Sequence, residues 1–396
     1  MKRLVLSTLS LSLLAAAGAA SAQNSVTLYG VIDESLTYVN HANANGNHLW
    51  ALGNTSAGDL AGSRFGMKGN EDLGGGLAAI FTLEGGFDPS TGRSQQGSSL
   101  FGRQAFVGLT SNQWGTVTLG KQYDPLVDLV QPITEDNYFG SPFATAGDVD
   151  NYDNSSRTTN SIKYLSPTIA GFQLEGFYAL GGTAGTTGSG QTWSVAAAYN
   201  NGPIGIAAGY WVADNFNGSQ RLGWGNTAGA SPTSTGTFDG SDVNLGYASA
   251  RSINVARVAG QYVFGPFTLG AAYSNSQYKA DAASTFGSTE KYNTGQGFVN
   301  YQATPALLVG IGYSYTHSSG DTSANYHQGS LGADYSLSKR TDVYLVGAYQ
   351  HASGETAADV GGVSVPVAAT ASVGSYGYPS GSDQQILVAL GLRHRF

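Results

Sequence analysis

Apolar and polar residues alternate with a period of two along most of this chain, in short stretches separated by polar segments. Such alternation is the mark of a strand with two unlike faces. It predicts sixteen strands, at 25–39, 62–69, 77–86, 100–111, 115–122, 157–165, 170–180, 191–200, 203–212, 252–264, 266–278, 295–302, 306–317, 326–336, 341–352 and 384–396. The gaps between them alternate strictly between long and short. Short gaps carry turn chemistry, as in Asn201-Gly202-Pro203, Gly265-Pro266 and Ala303-Thr304-Pro305. Long gaps, at about 40–61, 87–99, 123–156, 181–190, 213–251, 279–294, 318–325 and 353–383, are rich in Gly, Ser, Asn, Thr and Asp. An even number of antiparallel strands with both ends on the short-turn side fits a closed transmembrane β-barrel. A two-sheet soluble sandwich imposes no such rule.

The charges test the strand phase, because Arg or Lys facing lipid at the bilayer midplane costs ~2–4 kcal/mol. If Ile386, Val388, Leu390, Leu392, His394 and Phe396 face outward, Arg393 and Arg395 turn inward. By the same logic Phe65 and Met67 place Arg64 and Lys68 in the lumen, and Ile162 and Tyr164 place Arg157 and Lys163 there. Lys121 is the exception, sharing its phase with Val117 and Leu119 near a strand end. Aromatic residues of the outward phase gather at strand ends in two belts. Tyr164, Phe172, Tyr262, Phe267 and Tyr335 lie near short turns; Tyr38, Tyr178, Trp193, Tyr273 and Tyr313 lie near long loops. Amphipathic rings favour both membrane interfaces.

Composition supports this picture. Only 11% of residues are charged, while the chain holds 57 Gly and 23 Tyr and no Cys. Residues 1–22 have the form of a secretory signal: Lys2 and Arg3, an apolar run from Leu4 to Leu14, then Ala20-Ser21-Ala22. The domain boundaries that follow are a signal peptide at 1–22 and a barrel at 23–396. The formal net charge of −8, which becomes more negative when the leader is removed, argues against a nucleic-acid partner.

Several local stretches resemble the Gram-negative general porins in their β-proteobacterial form. Val26-Thr-Leu-Tyr-Gly-Val31 with Asp33 is similar to their first strand. Ser63-Arg-Phe-Gly66, Lys68-Gly69 and Glu71-Asp-Leu-Gly-Gly-Gly76 match the second strand and first turn. Arg103-Gln-Ala-Phe-Val-Gly-Leu109, Gly120-Lys-Gln-Tyr123, Asn160-Ser-Ile-Lys-Tyr-Leu-Ser-Pro167 and the terminal Phe396 continue the series to the end of the chain. The resemblance implies a homotrimer of sixteen-stranded barrels in the outer membrane of a Gram-negative bacterium. Each would be a water-filled channel for passive diffusion of small hydrophilic solutes and ions, with the third outer loop folded into the lumen. It also implies contact with membrane lipid and lipopolysaccharide, and reading of Phe396 by the outer-membrane insertion machinery.

That third loop, 123–156, has no Lys or Arg, and its acids are Asp124, Asp128, Glu135, Asp136, Asp148, Asp150 and Asp153. By the resemblance the facing wall arginines are Arg64, Arg103 and Arg157, joined by Lys68 and Lys163 from the strand phase. Opposed charges of this kind give a transverse field at the narrowest point and a weak net selectivity, with a lean toward anions. The alternative is that the arginines only form lumenal salt bridges that hold the barrel round. The enterobacterial branch carries Pro-Glu-Phe-Gly-Gly in this loop, where this chain has Asp136-Asn-Tyr-Phe-Gly140.

His41, His48, His317, His327, His351 and His394 are scattered and none pairs with an obvious nucleophile, so no enzymatic activity is expected. No cofactor is implied, and the aspartate-rich loops lack the twelve-residue EF-hand spacing, leaving an incidental surface Ca²⁺ at most. A substrate-specific channel would show a track of inward aromatics, whereas inward aromatics such as Tyr29 and Phe177 form no run. A surface adhesin would need an expanded loop, for which 213–251 is the only strong candidate, but its Gly-Ser-Thr-Asn composition reads more as variable solvated surface.

Overall fold

The computed structural model describes residues 25–53, 59–96, 99–154, 157–182, 184–185, 188–214, 241–361, 363–374, 378 and 380–396. The predicted signal peptide, 1–22, lies outside the described residues, as does 215–240.

Sixteen antiparallel strands close into one barrel. In chain order they are β1 (Ser25–Val39), β2 (Arg64–Gly74), β3 (Leu77–Gly86), β4 (Gln104–Ser111), β5 (Gly115–Gln122), β6 (Thr158–Leu165), β7 (Phe172–Ala179) and β8 (Thr192–Asn201). Then follow β9 (Ile204–Asp214), β10 (Ser252–Phe264), β11 (Phe267–Lys279), β12 (Glu290–Thr304), β13 (Leu307–Ser319), β14 (Ser323–Ser336), β15 (Thr341–Asp359) and β16 (Gln384–Arg395). Each pairs with its sequence neighbours. Closure comes from β1 against β16, in a register that sets Val31 opposite Arg395 and Val39 opposite Leu387. Beyond it, Gly30 and Phe396 exchange both backbone hydrogen bonds at 3.1 Å.

Two further strands were not visible in the alternation pattern. Leu49–Leu52 folds back on Leu36–Val39 of β1, and Ser364–Ala368 on Glu355–Asp359 of β15. Both lie inside what sequence alone marks as loop. Each is too short for a periodic signal and is held by pairing to the end of a longer strand.

The predicted phase holds. Phe65, Met67, Ile162, Tyr164, Ile386, Val388, Leu390 and Leu392 are exposed, while Arg393 is buried inside the wall. The exposed apolar side chains would be an aggregation surface on a soluble protein, and they are the outer face that a wall set in an apolar medium requires. Arg393 donates from Nε to Asp342 at 2.9 Å and from Nη2 to Asp334 at 3.0 Å, and Arg395 lies 3.1 Å from Asp342. These pairs tie β14, β15 and β16 together near the short turns.

The core of this molecule is inside the barrel, where loops fold back onto the lumenal wall. One apolar cluster joins Leu60, Phe139, Phe143, Tyr344, Val373 and Leu387. A second, nearer the long-loop end, joins Val149, Trp211, Val243, Tyr247, Tyr278, Tyr292 and Tyr326. Segment 241–250 is therefore not the solvated surface expected for the 213–251 loop. Val243 and Tyr247 are wholly buried, Tyr292 donates to the Val243 carbonyl at 2.8 Å, and Thr356 donates to the same carbonyl at 3.0 Å. Burying two apolar side chains in the mouth outweighs the solvation that the loop's polar composition suggests.

Candidate functional site

The third loop leaves β5 at Gln122 and returns to β6 at Thr158 through a series of short helical turns. Asp124 starts it, accepting the Leu126 amide at 2.8 Å. Thr134 and Gln131 donate to the two oxygens of Asp136, at 2.6 and 2.9 Å, and fix the turn that begins Asp136–Phe139. Gly140 ends it with φ +69°, where a Cβ would also fall 2.6 Å from Leu60 Cα, so the chain can reverse only because this residue has none.

The loop lies against the lumenal face of the wall along much of its length. Tyr138 donates to Gln261 of β10 at 2.9 Å, and its ring is 5.7 Å from Phe298 of β12. Phe139 stacks on Phe143 and fills a hollow on β13 and β14 where Gly310 and Gly332 have no side chains. A Cβ at Gly332 would lie 2.7 Å from Phe139 Cγ. Gln328 of β14 donates to the carbonyls of Pro142 and Ala144, and Ser274 of β11 to Asp150.

This seating decides where the acids go. Asp124, Glu135, Asp136, Asp148 and Asp150 are all buried in the seam between loop and wall. Asp128 and Asp153 keep partial exposure, and Asp128 is ion-paired with Lys163. The side chains that the loop leaves toward open space around its tip are Gln131, Pro132, Asn137 and Tyr138, none of them charged. Thus the opposed rows of charge expected from sequence do not form as such, because burial and turn hydrogen bonds take most of the acids first.

The cations behave differently. Arg103 is buried and donates from Nε to Glu84 at 2.8 Å and from Nη2 to the Tyr123 hydroxyl at 2.9 Å. Tyr29 and Tyr123 donate to the same Glu84 carboxylate, at 2.9 and 3.1 Å. Arg64 Nε is 3.9 Å from Glu84, the Arg157 guanidinium lies 5.7 Å from the Tyr123 ring, and Lys68 Nζ lies 5.4 Å from the Tyr29 ring. So Arg64, Arg103, Arg157 and Lys68 gather on one stretch of wall around the carboxylate of Glu84. Lys163 stands apart, held by Asp128 and by Glu175 at 3.2 Å.

Glu84 and Glu175 were not among the sequence candidates, although the phase could have found them. Glu84 follows outward Leu83, and Glu175 shares the inward phase of Phe177.

Comparison with known proteins agrees with this architecture. A family model described as Gram-negative porin matches residues 8–355. The chain belongs to the Gram-negative porins. An outer membrane porin protein of Bordetella pertussis is 31% identical over 84% of this chain and 90% of its own length. Outer membrane porin protein 32 of Delftia acidovorans is 32% identical, covering 85% and 87%. The anion-selective porin from Comamonas acidovorans superposes with a TM-score of 0.71 at 25% identity, over 94% of this chain and all of that one. This porin is accordingly an outer-membrane channel, and the sites described above line its lumen.

One loop acid should make the seating of the third loop depend on pH. Glu135 is pressed against Gly312 of β13, with no hydrogen bond to Oε1. Burial, and then the nearby Asp136, push its carboxyl above the usual range, so the seated loop favours the protonated form. Seating is therefore fully stable below the ordinary carboxyl pKa and weakens as pH rises through the raised value. We expect spontaneous closures of the single channel to become more frequent between neutral and alkaline pH, and Glu135→Gln to abolish that rise. Equal pH dependence in the two proteins would assign the effect elsewhere.

Proposed function

We propose that this porin passes small hydrophilic solutes and prefers anions, with Arg64, Arg103, Arg157 and Lys68 forming the selective side of its constriction. The observation that carries this reading is the inequality between the two sides: four cations around Glu84 on the wall, against a loop whose acids are mostly turned into the seam. Bulk charge points the other way, since the chain carries −8. Local charge should prevail, because low-dielectric walls focus the field at a constriction while outer-loop charges are screened within about 10 Å at 0.1 M salt. The relation to an anion-selective porin supports the same sign.

The test is the reversal potential of the purified protein in a planar bilayer under a tenfold KCl gradient. It should take the sign of chloride flow, more strongly at low salt. A potassium-selective sign would overturn the assignment. The homotrimer, the contact with lipopolysaccharide and the recognition of Phe396 by the insertion machinery belong to the same proposal. What supports that last role is the exposure of Phe396 on the outer face at the closing seam.

A further inference from the structure

Arg257 sits in mid-strand on β10, with its side chain only 3% exposed. Arg103, Lys163 and Arg393 each lie within 4 Å of a carboxylate. Arg257 does not follow them: none of its three guanidinium nitrogens makes a hydrogen bond within the described residues. It lies instead over a ring, with the guanidinium carbon 4.0 Å from the centroid of Tyr152.

A buried charge without a carboxylate is costly to keep, so its position needs a reason. The surroundings supply one. The seam here is apolar, built from Leu129, Val130 and Ile133 of the loop against Ala196, Ala207 and Ala259 of the wall. In such a medium a charge acts over longer distances than in water. Burial makes Asp124 and Asp136 reluctant to ionise, and Arg257 is a charge that offsets this at both. Asp124 begins the outgoing limb of the third loop, Asp136 begins the turn at its tip, and Tyr152 belongs to the returning limb. One wall cation thus acts on the loop at three places, reaching two of them through the field and the third through a ring face.

We propose that Arg257 is the positioning residue of the channel, the wall cation that draws the outgoing and returning limbs of the third loop onto the barrel and so fixes the width of the passage. The inference rests on the channel reading but not on the sign of its selectivity. It is tested by current steadiness, which a wrong sign would leave intact.

The measurement compares single-channel records of the full-length parent, Arg257→Met and Arg257→Lys. The Met variant keeps an apolar stem of similar length and removes the charge. It should close spontaneously roughly tenfold more often, while the Lys variant stays close to the parent. Because the chain has no cysteine, a lock can be added in the same background. The Cβ position at Gly332 is 2.7 Å from Phe139 Cγ, which brings the two Cβ atoms within about 4 Å, a span suited to a disulfide. Oxidised Phe139→Cys/Gly332→Cys should return the Met variant to steady current, and reduction should release it. Steady current in Arg257→Met overturns the proposal, as does flicker that persists in the locked, oxidised channel. Should Arg257→Met fail to form barrels, Tyr152→Leu takes its place, and undisturbed current there overturns the proposal equally.

Discussion

Reversing the charge at Arg64 and Arg157 should turn this channel from anion-preferring to cation-preferring. Both side chains keep partial exposure to the lumen, whereas Arg103 is buried and shared between Glu84 and Tyr123. Arg103→Glu would set two carboxylates side by side in the wall and report on folding as much as on selectivity. In a water-filled passage, at a distance of about 8 Å with an effective dielectric of about 50 and with screening at 0.1 M salt, each reversal is worth about 1–2 kcal/mol between anion and cation. That is on the order of tenfold in the permeability ratio for Arg64→Glu, and again for Arg157→Glu, so the double variant should cross zero reversal potential. At ~1 M salt, where the screening length is about 3 Å, most of the shift should vanish. A double variant that forms normal barrels and keeps the parental reversal potential would show that the constriction lies elsewhere.

Gly332→Leu should expel the third loop from its seat. The hollow that takes Phe139 exists because Gly310 and Gly332 project nothing into it, and a Cβ at Gly332 already overlaps the ring. Overfilling a packed site costs about 1–3 kcal/mol, and the burial of a phenylalanine is itself worth about 1.5–3 kcal/mol. The strands have many ladder hydrogen bonds to keep them, so the loop is the element that yields. Chymotrypsin should then cut at Tyr138 or Phe139 faster than in the parent, where the loop is seated, and the open-channel current should become noisy. Unchanged resistance to the protease in a folded Gly332→Leu barrel would mean that Phe139 does not hold the loop.

The two outcomes bear on how far the sequence could be read. Strands were legible because a wall between lipid and water imposes a strict period, and the inward turn of Arg64, Lys68, Arg157 and Lys163 followed from it. The facing of Asp124, Glu135 and Asp136 was not legible, since no period governs a loop. Their directions come from Thr134, Gln131 and the wall glycines, which lie distant in sequence or announce nothing by themselves. Segment 241–250 misled by composition: its Ser, Asp and Asn suggest solvent, yet Val243 and Tyr247 carry it into the mouth. Arg257 had the opposite difficulty. Nothing in its strand sets it apart from other cations, and only the packed loop shows that its guanidinium is buried without a hydrogen bond among the described residues.

Where the loop is gripped and where the charge is concentrated are different parts of the wall. Gln261, Ser274, Gly310, Gly332 and Gln328 belong to β10 through β14, while Arg64 and Lys68 lie on β2, and Arg103 and Arg157 stand at the starts of β4 and β6. Gating and selectivity are therefore separable properties, open to independent change. A library confined to the first arc would vary how long the channel stays open at constant ion preference, and one confined to the second would vary ion preference at constant dwell time. Substitutions drawn from both should combine additively, as expected for sites that share no partner.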